Sequence, residues 1–90
     1  MASGTIIQEI KTYTSSTMTI NITANSYGEF VFDLASLNAN QILGVIVVND
    51  QAATTGSAVR RITNNSLTVQ VRNVTSQTLT TGVYVIVTYR

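Results

Sequence analysis

Ninety residues with five basic and four acidic side chains, a net charge of +1 and only 10 % charged residues give no electrostatic reason to expect nucleic acid or an anionic membrane as partner. The absence of cysteine and histidine excludes disulfides, thiolate-ligated zinc and histidine-based triads, and no cofactor or metal is expected. One domain of this size buries only about 60–65 % of its unfolded surface, so its stability has to come from packing.

Thr, Asn, Ser and Gln fill the positions between apolar residues, where a helical protein would carry Ala, Glu, Lys and Leu. β-Branched threonine fits a pleated surface, so the composition favours strands. "MASG" (1–4) reads as a tail outside the fold. The N-terminus lacks the basic start and continuous apolar run of a signal peptide, and no run approaches the roughly 20 residues of a spanning helix. A soluble chain without membrane insertion is expected.

In chain order, period-two alternation and Gly/Asn punctuation give seven segments. "TIIQEIKTY" (5–13) is a first strand, followed by a turn at 14–16. "TMTINITA" (17–24) puts Met18, Ile20 and Ile22 on one face and Thr19, Asn21 and Thr23 on the other; "NSYG" then turns the chain. "EFVFDL" (29–34) points Phe30, Phe32 and Leu34 inward. "ASLNANQ" (35–41) is a connection with room for one short helical turn. "ILGVIVVN" (42–49) is apolar on both faces, and Gly44 marks a bulge or a close backbone approach. After the loop "DQAATTGS", "AVRRIT" and "SLTVQVRNV" flank Asn64-Asn65, residues that tolerate the positive φ of a two-residue hairpin turn. "TSQTLTTG" is a loop or irregular edge, and "VYVIVTYR" (83–90) closes the chain. The pattern predicts a single all-β domain over 1–90, an antiparallel β-sandwich of about seven strands with jelly-roll or Ig-like Greek-key winding.

A sheet in a two-layer sandwich has one core face, yet 42–49 and 83–88 are apolar on both. An uncovered apolar face usually marks a subunit contact. Val45, Val47, Tyr84 and Ile86 are therefore expected at an oligomer interface, together with Arg60. With Asn64-Asn65 as a two-residue turn, Arg61 pairs with Thr68 and Arg60 with Val69. Adjacent strand residues alternate faces, so the arginines divide and Arg60 falls on the apolar side. Either it protects an edge strand, or its stem lies over apolar surface and its head meets a neighbour's carboxylate.

No motif names a reaction. Glu29 and Asp33 share a strand face about 13 Å apart at ~3.3 Å per residue, beyond the roughly 5–9.5 Å of a glycosidase pair. With one carboxylate, "NDQ" (49–51) is weak support for a calcium site, which wants six to eight oxygens. The sequons at Asn21, Asn64 and Asn73 are what an Asn-, Ser- and Thr-rich chain produces by chance. If consecutive strands reverse, one end of the sandwich collects the turns at 14–16, 35–41 and 64–65. The other collects "NSYG", "NDQAATTGS" and "TSQTLTTG". Loops on a rigid scaffold concentrate binding residues, so Tyr27, Asn49, Asp50 and Gln51 are nominated as a ligand-binding set for a sugar.

Across "ITANSYGEFVFDLASLNANQILGVIVVN", "NNSLTVQVRNVTS" and "VYVIVTYR" the chain resembles the small all-β modules of bacteriophage and prophage tail fibres and baseplates. The resemblance rests on a pattern of strands and turns and brings no site residue with it. It implies a non-enzymatic tail-tip module in the virion, a homotrimer that touches a host-surface glycan or protein. The alternative is a purely architectural virion or cell-surface sandwich without a ligand.

Overall fold

The computed structural model describes residues 9–90; the tail at 1–4 and the first part of the strand expected over 5–13 lie outside the described residues. Seven strands follow: β1 (Lys11–Thr14), β2 (Met18–Ile22), β3 (Tyr27–Asp33), β4 (Ile42–Asn49), β5 (Thr55–Ile62), β6 (Ser66–Asn73) and β7 (Leu79–Tyr89), with a 3₁₀ turn at Ala35–Leu37. They form two antiparallel sheets. In one, β7 is central, with β4 on one side and β1 and β2 on the other; the second runs β3-β6-β5. The expected all-β sandwich is present.

Alternation explains the core. Phe30, Phe32 and Leu34 of the β3 region, Leu67, Val69 and Val71 of β6, Val83, Val85 and Val87 of β7, and Ile22 of β2 are buried as one cluster. Each such side chain contributes about 1.5–3 kcal/mol through removal from water. β6 and β7 supply most of it because they are the central strands. On the β2–β3 side the sheets approach closely at Gly28, where an added Cβ would lie 2.6 Å from Ile20 Cδ1 and 3.1 Å from Ile22 Cγ1. On the β4–β5 side, Asn49 Nδ2 donates to Thr55 Oγ1 at 2.7 Å and to Ser57 Oγ at 2.9 Å, tying the sheets together. Farther along β5 the sandwich opens, leaving the core-facing Val59 and Ile62 each 41 % exposed.

Several expectations change. Residues 14–16 do not reverse the chain: β1 and β2 both run antiparallel to β7, Thr14 pairing with Ile86 and Met18 with Val83. They form one interrupted strand, bridged where Ser15 N donates to Val85 O and Val85 N donates to Ser15 Oγ, both at 2.9 Å. β7 begins at Leu79, four positions before the apolar run, since Leu79–Gly82 pair with β2 despite their threonines and glycine. The Asn64-Asn65 hairpin has the expected register, with Ile62 opposite Leu67, but not positive φ. Thr63 Oγ1 instead accepts from Asn65 N and Ser66 N at 3.2 and 3.0 Å. The positive-φ residues among those described are Asn25 and Asn38, at 56° and 51°. Gly44 sits in a β4 bulge with nothing near its missing side chain, so the bulge, not a close approach, explains it.

The grouping of loops by end otherwise holds. At one end Asn25 N donates to Thr75 O at 3.1 Å, joining the β2–β3 and β6–β7 connections. At the other, Asn64 Nδ2 donates to Asn40 O at 3.1 Å, joining the β5–β6 hairpin to the 35–41 connection.

Candidate functional site

The nominated ligand set does not come together. Tyr27 lies on the outer face of β3-β6-β5, paired with Arg72 and 55 % exposed. Asn49 ends β4, Asp50 and Gln51 begin the β4–β5 connection, and their polar atoms hold the fold. Beyond its two donor bonds to β5, Asn49 accepts from Gln51 N at 2.9 Å through Oδ1. Asp50 Oδ1 accepts from Gly82 N at 2.8 Å, and Gln51 O accepts from Thr55 Oγ1 at 2.8 Å.

The reading of Arg60 is corrected. A bulge between Val59 and Arg61 sets Val59, not Arg60, opposite Val69, while Arg61 stays opposite Thr68. One extra residue cancels the alternation that was to divide the arginines. Both now lie on the outer, polar face, away from the core. Arg60 Nη1 donates to Glu29 Oε1 in an ion pair, with side-chain exposures of 57 % and 34 %. Arg60, Arg61, Glu29 and Thr68 line an open cavity of about 270 Å³.

The remaining interface candidates also separate. The β4 bulge at Leu43 places Val45 opposite Val87 and Val47 opposite Val85, so both face the core and are half-buried against it. Assigning them to the outer surface is corrected: the outer pair on β4 is Ile46 and Val48, opposite Ile86 and Tyr84. Ile46 is 60 % exposed, and Val48, Tyr84 and Ile86 are half-buried around it. This is an apolar patch on the outside of the sheet.

Two faces thus carry the molecule's functional potential: an apolar one on β4–β7 and a polar one on β3-β6-β5. The polar rows, read from the register, are Tyr27, Arg72 and Gly56, then Glu29, Gln70 and Ala58, then Val31, Thr68 and Arg61. Three of the chain's five basic residues lie here, with Glu29 and Asp33 as acids. Neither bulged β5 nor this face was legible from alternation alone, because a bulge leaves no mark in a run that is polar and apolar by turns. A second, smaller cavity of about 200 Å³ lies at the C-terminal end of β7, bordered by Lys11, Asn38, Tyr89 and Arg90. Among the described residues no group of three or more metal-ligating side chains occurs, and no helix is long and apolar enough to cross a membrane.

Asn73 is the polar residue the sequence reading missed. It is fully buried, its Nδ2 donating to Ile22 O at 2.9 Å and Gln77 O at 2.7 Å. Its Oδ1 accepts from Thr75 N and Thr75 Oγ1 at 2.9 and 2.7 Å. The sequon at this position is therefore a structural pin. A search against protein-family models, curated proteins and solved structures found no match.

Proposed function

We propose that the chain is a non-enzymatic module of a phage tail that assembles as a homotrimer and presents its polar face to a host surface. The observation that carries this reading is the partly exposed apolar patch at Ile46, Val48, Tyr84 and Ile86 on the outside of the sandwich. Isolated exposed apolar residues need no explanation, but a contiguous group on the outer face of a sheet usually marks a subunit contact. The resemblance of the chain's strand-and-turn pattern to tail-tip modules is what supports the trimer and the virion setting.

The carboxylates support the non-enzymatic part. Of four, Glu29 pairs with Arg60, Asp50 accepts from Gly82 N, and Asp33 Oδ1 accepts from Ala35 N at 2.9 Å. Each of these three is committed to a hydrogen bond of the fold. Light scattering over the micromolar range should give three times the 9.7 kDa chain mass; a strict monomer contradicts the proposal. A purely architectural module is the second reading, favoured by the end loops, whose Asn49 and Asp50 are spent on internal bonds. Silence on a glycan array together with a trimeric mass selects it.

A further inference from the structure

We propose that the outer face of β3-β6-β5 binds an acidic saccharide, its sugar carboxylate held by Arg61 at the Arg60–Glu29–Thr68 cavity. This deepens the host-surface part of the proposed function and rests on it, but it moves the site away from the end loops.

The argument begins with the bulge. Two consecutive arginines on one strand face would ordinarily be impossible, and here the extra residue sets both beside the same cavity. Glu29 neutralises Arg60 and fixes its direction. Arg61 has no carboxylate partner among the described residues, and neither has Arg72 on the same face. Three arginines against Glu29 and Asp33 give this face one positive charge, which equals the charge of the whole chain. The remaining charged residues, Lys11 and Arg90 against Glu9 and Asp50, cancel.

A lone guanidinium on a polar floor suits a carboxylate, which it grips through two parallel N–H···O bonds. The other groups suit a sugar's hydroxyls. Thr68 supplies a donor and acceptor at the cavity, Glu29 supplies acceptor oxygens, and Gln70 follows along β6. The cavity, at about 270 Å³, falls below the roughly 300–1,000 Å³ of pockets for drug-sized ligands, which fits one ring better than a folded ligand. Beyond it the face continues past Gln70 to Arg72 and the exposed ring of Tyr27, two residues along β3 from Glu29. Gly56 and Ala58 keep the β5 side low, and nothing lies within 4 Å of where a Gly56 side chain would begin. From Ser66 to Arg72 the floor runs about 20 Å at ~3.3 Å per residue, so successive rings of an oligomer can lie along it. Nucleic acid fits poorly, since one net positive charge cannot follow a phosphate backbone.

The test is calorimetric titration of the intact chain with an oligogalacturonate and with the matching neutral galactose oligomer. The acidic oligomer should bind at least tenfold more tightly. Arg61→Gln should lower that affinity tenfold or more and Arg72→Gln about threefold, with thermal midpoints unchanged. Equal affinity for the two oligomers, binding indifferent to Arg61→Gln, or no binding to either overturns the inference. So does single-stranded DNA that competes on equal terms. Measuring the mass in the same samples separates this outcome from the assembly reading. A monomer that binds the acidic oligomer keeps the site and removes the trimer; a trimer that binds neither does the reverse.

Discussion

Replacing Asn73 with alanine tests how the loop-rich end of the sandwich is held. The substitution removes donor bonds to Ile22 O and Gln77 O and a longer one to Thr23 O, and two acceptor bonds, from the Thr75 amide and hydroxyl. A hydrogen bond contributes about 0.5–1.5 kcal/mol net, and a buried acceptor left unpaired costs about 1–3 kcal/mol. Ile22 is 2 % exposed, so its carbonyl loses its partner with little water to replace it, whereas the Thr75 groups lie nearer solvent and are rehydrated. Taking the Gln77 bond and the two Thr75 bonds, all rehydrated, at about 0.5 kcal/mol each and the unpaired Ile22 carbonyl at about 2 kcal/mol, the sum is about 3–4 kcal/mol. Against a total stability of about 5–13 kcal/mol for a chain of this size, at about 4–8 °C per kcal/mol, the thermal midpoint should fall by about 12–30 °C. Asn73→Asp keeps an acceptor and removes the donors, and should destabilise at least as much because it also buries a charge. The control is Asn21→Ala, which loses one exposed bond, from Thr80 Oγ1 at 2.7 Å, and should cost under about 0.5 kcal/mol. Circular dichroism melts of the three variants decide it; Asn73→Ala melting within a few degrees of Asn21→Ala refutes the pin.

Other expectations follow from single contacts. Arg60→Ala and Arg61→Ala should each change stability by no more than about 1 kcal/mol, because the Arg60–Glu29 pair is exposed; urea denaturation showing a loss above 2 kcal/mol for Arg60→Ala would return that residue to the core side. Thr81 Oγ1 is buried with no hydrogen-bond partner among the described residues, so Thr81→Val should stabilise by about 1–2 kcal/mol, and a lower melting temperature contradicts the assignment. Gly28→Ala drives a Cβ toward Ile20 and Ile22 and should cost about 1–3 kcal/mol. Gly56→Ala, which enters open space, should be nearly neutral, and equal losses in the two would show that the sheets do not meet at Gly28.

How far the sequence foretold this molecule depends on what kind of signal each feature leaves. Strands with a clean inside and outside were legible: Phe30, Phe32 and Leu34 alternate with Glu29, Val31 and Asp33. The span of β4, apolar on both faces, was legible too. Features that break the period were legible only in part: Gly44 marked the β4 bulge as one of two readings, but its effect on the register and the bulge at Arg60 left no sign. The two bulges each insert one residue, which exchanges the faces assigned to Val45 and Val47 and reunites the arginines. The start of β7 was hidden because Thr80, Thr81 and Gly82 resemble a loop, although pairing with β2 gives them strand geometry. Loop polarity also misled. Asn49 and Asp50 looked like ligand-binding groups, but short polar side chains at strand ends are equally suited to bonding the backbone around them.

The central claim, assembly through the outer face of β4 and β7, is tested most directly by sedimentation equilibrium of the native chain beside Ile46→Arg and Val59→Arg. Ile46 lies on that face and Val59 at the opening between β4 and β5, and both are solvent-accessible enough for arginine to leave the fold intact. The account predicts a trimeric mass for the native chain and for Val59→Arg, and a monomer for Ile46→Arg with its circular dichroism spectrum unchanged. A native monomer, or an Ile46→Arg variant that keeps the trimeric mass, contradicts it.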